Sequence, residues 1–284
     1  MPTRHWIRLW MVNLELFLGF GDLQILWIPD TNIHDIPASE STFGITAPFV
    51  KIPSNLDLVL LPTGRPNDPW GDADVGLKLS LFADGWNITL NYLYHYDDFP
   101  VYVRELLGTD LILTPTYGRT HTLGVSASNA FGEVVLRSEL VWNSDKFEST
   151  DGFAFSGSAK SQEIGWVLGL DWNGLTDTLL SLQLFQSIML DDAPGSNDFV
   201  REKVESNLTF LMRRNFLNES LRLDALWIYH VNDGDNLFRV SASYDVTSSL
   251  VAEAYVDVFT GDADQLFGQF DQNDRLGFKI QYGF

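Results

Sequence analysis

Apolar and polar residues alternate along most of this chain, up to its final residues. In the last ten, RLGFKIQYGF, every second position from Leu276 to Phe284 is apolar or aromatic. Alternation with a period of two places one set of side chains on each face of a β-strand. The pattern recurs in 13 segments, and helical periodicity is nearly absent. The predicted strands are Val12–Leu18, Leu23–Ile28, Val75–Phe82, Trp86–Asp97, Leu111–Ser128, Glu133–Asn143, Gln162–Asn173, Asp177–Ile188, Val204–Arg213, Ser220–His230, Leu237–Val246, Leu250–Phe259 and Arg275–Phe284.

The connections between these strands alternate between tight turns, such as Ala83–Gly85, and long loops, such as Pro29–Asp74. Short turns at one end and long loops at the other are typical of a transmembrane β-barrel, whose apolar band takes about 10 residues per strand. Aromatic residues also collect on the apolar face at both ends, as they do at membrane–water interfaces. They are Trp86, Trp172, Tyr244, Tyr282 and Phe284 near the tight turns, and Tyr94, Tyr96, Trp142, Trp227 and Tyr229 near the long loops.

We therefore predict an all-β fold, a transmembrane antiparallel up-and-down β-barrel, over residues 1–284 as a single domain. A soluble β-sandwich also has alternating strands, but it has no reason for two aromatic girdles. A transmembrane helix needs about 20 apolar residues. It is excluded because the longest runs without Asp, Glu, Lys or Arg have 13 residues, as in Thr178–Leu190.

The two faces of the predicted strands differ in polarity. We call the face that carries Leu90 and Leu182 the lipid face, and the face that carries Asn91 and Gln183 the lumen face. Charges are costly against lipid, so charges of both signs predict a polar interior. They would form either a polar path for solutes or cross-strand salt bridges that fill a narrow interior. The predicted lumen residues are Arg137, Glu139, Glu163, Asp171, Arg222, Asp224, Arg239, Glu253, Asp257 and Lys279, with Glu205, Arg213 and Asp245.

Composition narrows the choice of partners and cofactors. The absence of cysteine excludes disulfides and thiolate metal sites. A net charge of −20 argues against a nucleic-acid partner, which needs a basic face. The six long connections hold 23 of the 38 acidic residues. These acids either keep the exposed loops soluble or bind Ca²⁺ or Mg²⁺ that bridges the outer loops to lipopolysaccharide phosphates. No other cofactor and no dedicated protein metal site are predicted, and Asp233–Asn236 resembles a calcium loop only weakly.

The long connection Pro29–Asp74 carries seven of the 11 prolines and two apolar runs, FGITAPFVKIP and LDLVLLP. Proline restricts the backbone, so this loop can be semi-rigid without regular structure. We predict that it folds into the lumen as an apolar constriction; the alternatives are a cap over the mouth and a hidden strand around Leu56–Leu61. The predicted constriction residues are Phe43, Ile45, Phe49, Val50, Leu58 and Leu60.

The end of the chain predicts how the barrel closes and assembles. An open strand edge is costly in lipid, and bacterial barrels of this kind have even strand numbers. Thirteen strands therefore predict an N-terminally truncated barrel of 14 or more. The alternating apolar residues at the end resemble the signal that the bacterial outer-membrane assembly machinery reads. These residues are Phe278, Ile280, Tyr282 and Phe284.

Enzymatic activity is not expected from the histidines. An outer-membrane acyl hydrolase needs a serine, a histidine and an orienting polar group on one face. His95 and His230 are predicted on the lumen face and His121, with Arg119, on the lipid face near the outer headgroups, and none has a serine two residues away. The predicted function is a conduit for small lipophilic molecules. A hydrolase or a purely structural barrel remains the alternative.

Four stretches carry a resemblance to a known family. They are VGLKLSLFADGWNITLNYLYHYDDFPVY, YGRTHTLGVSASNAFGEVVLRSEL, SLQLFQSIMLDDAPGS and LFGQFDQNDRLGFKIQYGF. Together they resemble proteobacterial outer-membrane proteins catalogued as domain of unknown function thirteen-oh-two, whose members are longer at the N-terminus. The resemblance implies a barrel in the outer membrane of Gram-negative bacteria that moves lipophilic compounds together with periplasmic and inner-membrane transport partners. It implies no catalytic residue.

Overall fold

The computed structural model describes residues 10–29, 42–44, 55–62, 64, 66, 68–151, 157–195 and 198–283. Sixteen β-strands and a short 3₁₀ helix, Gly268–Phe270, make up its regular structure. No helix among the described residues is long and apolar enough to span a membrane. The strands are β1 Val12–Leu18, β2 Gly21–Ile28, β3 Asp57–Leu60, β4 Asp74–Ala83, β5 Trp86–Tyr96, β6 Val101–Leu107, β7 Asp110–Thr116, β8 Arg119–Phe131, β9 Val134–Ser149, β10 Ser158–Leu175, β11 Thr178–Met189, β12 Val204–Phe216, β13 Leu221–His230, β14 Asn236–Thr247, β15 Leu250–Thr260 and β16 Arg275–Tyr282.

Thirteen of these strands form one antiparallel sheet in the order β1-β2-β4-β5-β8-β9-β10-β11-β12-β13-β14-β15-β16. Each strand pairs with the next one along the sheet, which is the up-and-down arrangement predicted from the alternation. The register keeps the two predicted faces apart: Arg213 lies opposite Asp224, and Asp257 lies opposite both Arg239 and Arg275. The predicted fold class is therefore confirmed, strand for strand, within the large sheet.

The tight turns have the backbone geometry that closes a two-residue hairpin. Ala83 pairs with Trp86, so that only Asp84 and Gly85 lie between β4 and β5. Both residues have positive φ, 50° and 82° respectively. A type I′ turn needs positive φ at both central positions, and Asp-Gly is a preferred sequence for it. The turn therefore fixes the register of β4 against β5.

A second sheet corrects two predicted boundaries. The predicted strand Leu111–Ser128 is two strands, because β7 ends before Tyr117 and β8 begins at Arg119. The predicted loop Asp98–Asp110 contains β6, which forms a hairpin with β7. The hidden strand considered near Leu56–Leu61 exists as β3, but it pairs in parallel with β7 and does not enter the large sheet.

Arg104 anchors this small sheet to the hairpin of β9 and β10. Its side chain is buried and donates hydrogen bonds to the carbonyl oxygens of Thr150 and Gly157. Leu111, on the same face of the small sheet, is fully buried. The small sheet thus lies at the long-loop end of the large one, over the connection between β9 and β10.

The two edges of the large sheet are β1 and β16. Because the sheet has 13 antiparallel strands, these two edge strands run in the same direction. Phe278 and Ile280 of β16 are 75% and 78% exposed, whereas Leu182 in the middle of the sheet is 45% exposed. The extra exposure reflects the missing neighbour on one side of β16 within the described residues. A total of 14 or more strands stays a prediction.

Gly277 allows an aromatic ring to lie across β16. A Cβ at this position would overlap the ring of Tyr255 on the neighbouring strand. We therefore expect Gly277→Ala to lower the free energy of unfolding by about 1–3 kcal/mol, since the ring must move and its contacts are lost. Urea titration of the protein folded in detergent measures this. Gly124→Ala is the matched control, because its Cβ would have no neighbour closer than 3.8 Å; equal losses in both variants would contradict the explanation.

Candidate functional site on the lumen face

The charged residues predicted to line the lumen lie on one face of the sheet, and most of them form pairs. All but one of the pairs join neighbouring strands, namely β9 to β10, β12 to β13, β14 to β15, or β15 to β16, and Arg222–Asp224 lies within β13. Glu139 and Asp245 are the predicted residues that have no ion-pair partner among the described residues. The pairs are Arg137–Asp171, Arg213–Asp224 at 2.6 Å, Arg222–Asp224 at 3.4 Å, Arg239–Asp257, Arg275–Asp257 and Lys279–Glu253 at 3.3 Å.

Asp257 is the most enclosed acid of this set, with a side chain that is 0% exposed. Arg239 contacts one carboxylate oxygen through Nε and the other, at 2.8 Å, through Nη2. Arg275 donates from the opposite side through Nε. Both guanidinium groups also lie over the ring of Tyr255, at 5.3 and 5.6 Å from its centroid. One carboxylate therefore neutralises two arginines that would otherwise repel each other.

Phe43 of the long Pro29–Asp74 connection packs onto this group. Its ring lies 4.8 Å from the Arg275 guanidinium, 5.6 Å from the ring of Phe270 and 6.2 Å from that of Phe259. Phe259 shares the lumen face with Asp257, two residues away on β15. The structure thus places Phe43 on the lumen face at the long-loop end of the last hairpin.

Of the other predicted constriction residues, those that the structure describes do not lie beside Phe43. Leu58 and Leu60 lie in β3, opposite Leu111 and Leu113 of β7. Both are more than half exposed. Their strand pairing assigns them to the small sheet and separates them from Phe43. Ile45, Phe49 and Val50 lie outside the described residues.

A second charged network, missed by the sequence analysis, surrounds Arg201. This residue lies in the connection between β11 and β12, and its guanidinium reaches three carboxylates. The distances are 3.0 Å to Glu148, 2.5 Å to Glu163 and 3.0 Å to Glu205. Its Nη2 also lies 2.6 Å from the hydroxyl of Ser187, which donates to Glu163 at 2.8 Å. The guanidinium of Arg201 therefore links the four strands β9, β10, β11 and β12.

The carboxylates keep this arginine charged. Although burial alone would lower it, the pKa of Arg201 is raised above its ordinary value by Glu148, Glu205 and Glu163. The sequence offered little signal for the network, because Arg201 belongs to an irregular connection. In addition, a register shift between β9 and β10 changes the face on which β9 residues beyond Asn143 lie. Lys146, 3.4 Å from Glu163, and Glu148 consequently point to the lumen face, although both lie beyond the predicted strand Glu133–Asn143 and have the parity of its lipid face.

A groove of about 450 Å³ lies on the lumen face beneath the Arg201 network, across β5 and β8 to β12. Ser187 belongs to both, since it lines the groove and contacts Arg201. The size falls within the range of small-molecule sites. Its lining residues are Asn91, Leu93, Thr122, Gly124, Val125, Ser126, Glu139, Leu140, Val141, Gly165, Trp166, Val167, Phe185, Gln186, Ser187 and Asn207.

His230, Asp233 and Asp235 place three potential metal-ligand atoms within 4.8 Å of one another in the β13–β14 connection. The fully buried Asp235 already uses both oxygens, one with His230 Nδ1 at 2.7 Å and the other with the backbone N–H of Phe267 at 2.6 Å. Burial, with Asp235 and Glu202 nearby, raises the pKa of Asp233. These contacts hold two outer loops together, which explains the cluster without a metal ion.

His95, His121 and Arg119 lie on the predicted faces. His95 contacts the Thr122 hydroxyl at 3.0 Å on the lumen face. His121 stacks on Tyr94 at 4.6 Å on the lipid face, and the Arg119 guanidinium lies over the same tyrosine at 4.6 Å. Arg119 also donates to the carbonyl oxygen of Ala73 at 2.9 Å, which ties the start of β4 to this aromatic group.

The predicted assembly residues Phe278, Ile280 and Tyr282 project from the lipid face of β16 and are 65% exposed or more. Their partners across the strand pair, Ala254 for Phe278 and Ala252 for Ile280, are small. The bulky side chains therefore stand clear of the sheet. Phe284 lies outside the described residues.

Comparison with known proteins gives likeness of fold. No protein-family model and no curated protein matches the sequence. Among solved structures, a loop-deletion mutant of OmpT, an outer membrane protein of Vibrio cholerae, is similar with a TM-score of 0.50 and 10% identity over 95% of this chain and 78% of that one. OmpT expressed in the outer membrane gives a TM-score of 0.49 at 10% identity over 96% and 80%. A mutant Rh. blastica porin gives 0.44 at 11% identity over 93% and 75%.

The likeness to the OmpT mutant identifies the large sheet as an outer-membrane β-barrel fold. It also corrects the prediction that the chain is not an enzyme. At 10% identity a shared fold carries no information on chemistry, so the likeness to the OmpT mutant gives no ground for excluding catalysis. The chain has the fold of an outer-membrane β-barrel, and the comparisons leave its activity to be argued from its own residues.

Proposed function

We propose that this chain forms a conduit for small lipophilic or amphipathic compounds across the outer membrane of a Gram-negative bacterium. The observation that carries the proposal is the direction of the ion pairs on the lumen face. The ion pairs of the predicted lumen residues join adjacent strands, as in Arg137–Asp171 and Arg239–Asp257, or lie within one strand, as Arg222–Asp224 does. Such pairs neutralise the wall laterally and do not cross the interior.

A closed structural barrel would use its charges differently. Pairs between neighbouring strands form in either case, but a narrow filled interior also brings side chains from opposite sides of the barrel into contact. Among the described residues, the predicted lumen charges make no such contact. The groove beside the Arg201 network adds open space on the same face. These two features favour a path over a filled core.

The location suggests the partners. The lipid face would contact outer-membrane lipid and lipopolysaccharide, and the alternating apolar end of β16 would be read by the barrel assembly machinery. Membership of the family of unknown function that the sequence resembles remains part of this proposal, as do periplasmic and inner-membrane transport partners. Ca²⁺ or Mg²⁺ between the acidic outer loops and lipopolysaccharide phosphates is a further proposal.

Uptake of a hydrophobic dye by cells that express the full chain tests the conduit. Cells with the protein in the outer membrane should accumulate the dye faster than cells carrying an empty vector. Purified protein in planar bilayers should also give stepwise conductance. Failure of both measurements, with folded protein present in the membrane, would favour the structural barrel.

Phe43 offers a sharper prediction within this function. Because its ring lies on the lumen face against Phe259 and Phe270, Phe43→Ala should change the rate of dye uptake and the single-channel conductance. Leu60→Ala removes a similar apolar side chain from the small sheet and should change neither. Equal effects of the two substitutions would show that Phe43 does not line the path of the dye.

A further inference from the structure

The floor of the groove is a row of side chains that lie directly opposite one another on four strands. Glu139 on β9 pairs with Val167 on β10, Val167 with Phe185 on β11, and Phe185 with Asn207 on β12. All four line the groove. Two apolar residues are thus flanked by a carboxylate at one end and an amide at the other. The ends are three strand spacings apart, about 14 Å between backbones.

Two glycines deepen the groove in the next row. Gly124 on β8 and Gly165 on β10 lie on either side of Val141 of β9. A Cβ on Gly124 would meet only ordinary contacts, the nearest being the Asn91 Cβ at 3.8 Å. The absence of a side chain at Gly124 therefore leaves space above the apolar floor that a ligand can occupy. Close packing does not require glycine at this position.

The two polar ends of the row differ in their accessibility. Asn207 Oδ1 is buried and accepts no hydrogen bond from any described residue, and a buried acceptor without a donor costs free energy. Glu139 is exposed on the lumen face and has no ion-pair partner within the described ranges. The exposed carboxylate of Glu139 favours a ligand that is positively charged.

The protein itself shows that a cation suits this part of the wall. The Arg201 guanidinium is held by three carboxylates and by Ser187, which lines the groove. That cation comes from a loop and occupies the region above the groove. Glu139, one row below, remains available for a second cation.

We propose that the groove binds an elongated amphipathic amine, whose ammonium group pairs with Glu139 and whose apolar body covers Val167 and Phe185. The inference rests on the proposed conduit and narrows its cargo from lipophilic compounds in general to amines. Because binding in solution does not require transport, the proposed binding site and the proposed conduit can be contradicted by separate measurements.

Fluorescence titration of the full chain in detergent with dansylcadaverine tests the charge. The N-acetylated form of the same probe lacks the positive charge and is the neutral comparison. Wild-type protein should bind the amine roughly tenfold or more tightly than the acetylated probe, as expected for a charge-assisted hydrogen bond. Glu139→Gln should remove this difference and leave the affinity for the acetylated probe unchanged. Equal affinity of wild-type protein for the two probes would overturn the proposal.

A second pair of variants tests the place. Gly124→Leu fills the groove and should abolish the binding of both probes. Gly169→Leu puts the same side chain on the lumen face of β10 outside the groove lining and should have no effect. A difference in gel migration between unheated and heated samples checks that each variant is folded. Probe binding that survives Gly124→Leu in folded protein would show that the groove is not the binding site. Absence of dye uptake with intact probe binding would contradict the proposed conduit and leave the binding site standing.

Discussion

Replacing Leu182 with arginine is expected to lower the free energy of unfolding of the membrane-inserted protein by about 2–4 kcal/mol. Leu182 lies near the middle of β11 on the lipid face, opposite Leu170 and Phe210 of the neighbouring strands. An arginine there places a charge near the midplane of the bilayer, where it has neither water nor a counter-ion. Urea-induced unfolding in lipid vesicles, monitored by tryptophan fluorescence, measures the loss.

Gln183→Arg is the matched control for this substitution. It introduces the same side chain one residue away, on the lumen face opposite Gly169 and Thr209. Because a charge on this face remains in contact with water, the expected change is less than about 1 kcal/mol. Similar losses in the two variants would mean that the assignment of the lipid and lumen faces is wrong.

The sequence was sufficient to predict the large sheet because its pattern has a physical cause at every strand. Each spanning strand meets an apolar medium on one side and a polar one on the other, so its residues alternate. Pairs such as Arg239 and Asp257 then follow from register alone. The tight turns also carry local signals, as Asp84 and Gly85 show.

Contacts made by the long connections had no comparable signal. Arg201 reaches Glu148 across 53 residues of sequence, and nothing in the composition of its loop points to that partner. The parallel pairing of β3 with β7 joins segments far apart in the chain, and β7 was read as part of the following strand because the alternation continues through it. Periodicity identifies strands, but it does not specify which sheet a short strand joins.

The polar residues of the groove also could not be singled out from the sequence. The sequence predicts Glu139 on the lumen face together with twelve other charged residues. Its lack of an ion-pair partner, which it shares only with Asp245 among the predicted residues that the structure describes, depends on the lengths and directions of neighbouring side chains. Likewise, Asn207 is one of many polar residues on the lumen face, and only the packing around its Oδ1 leaves that atom without a donor.

Asp257→Asn is expected to lower the free energy of unfolding by about 3 kcal/mol. The substitution keeps the size of the side chain but leaves Arg239 and Arg275 facing each other without the carboxylate that both contact. Removing one partner of a buried ion pair costs about 3–5 kcal/mol; the lower end applies because both arginines are more than a third exposed on the lumen face. Urea unfolding of detergent-folded protein measures the difference.

Glu253→Gln provides the comparison on the same strand. Glu253 pairs with Lys279 at 3.3 Å, and both side chains are substantially exposed, so the expected loss is within about 1 kcal/mol. The double variant Asp257→Asn with Arg239→Gln should recover part of the first loss, since one of the two repelling charges is then gone. A loss for Asp257→Asn no larger than that for Glu253→Gln, or no recovery in the double variant, would show that the two arginines are solvated well enough to do without their shared carboxylate.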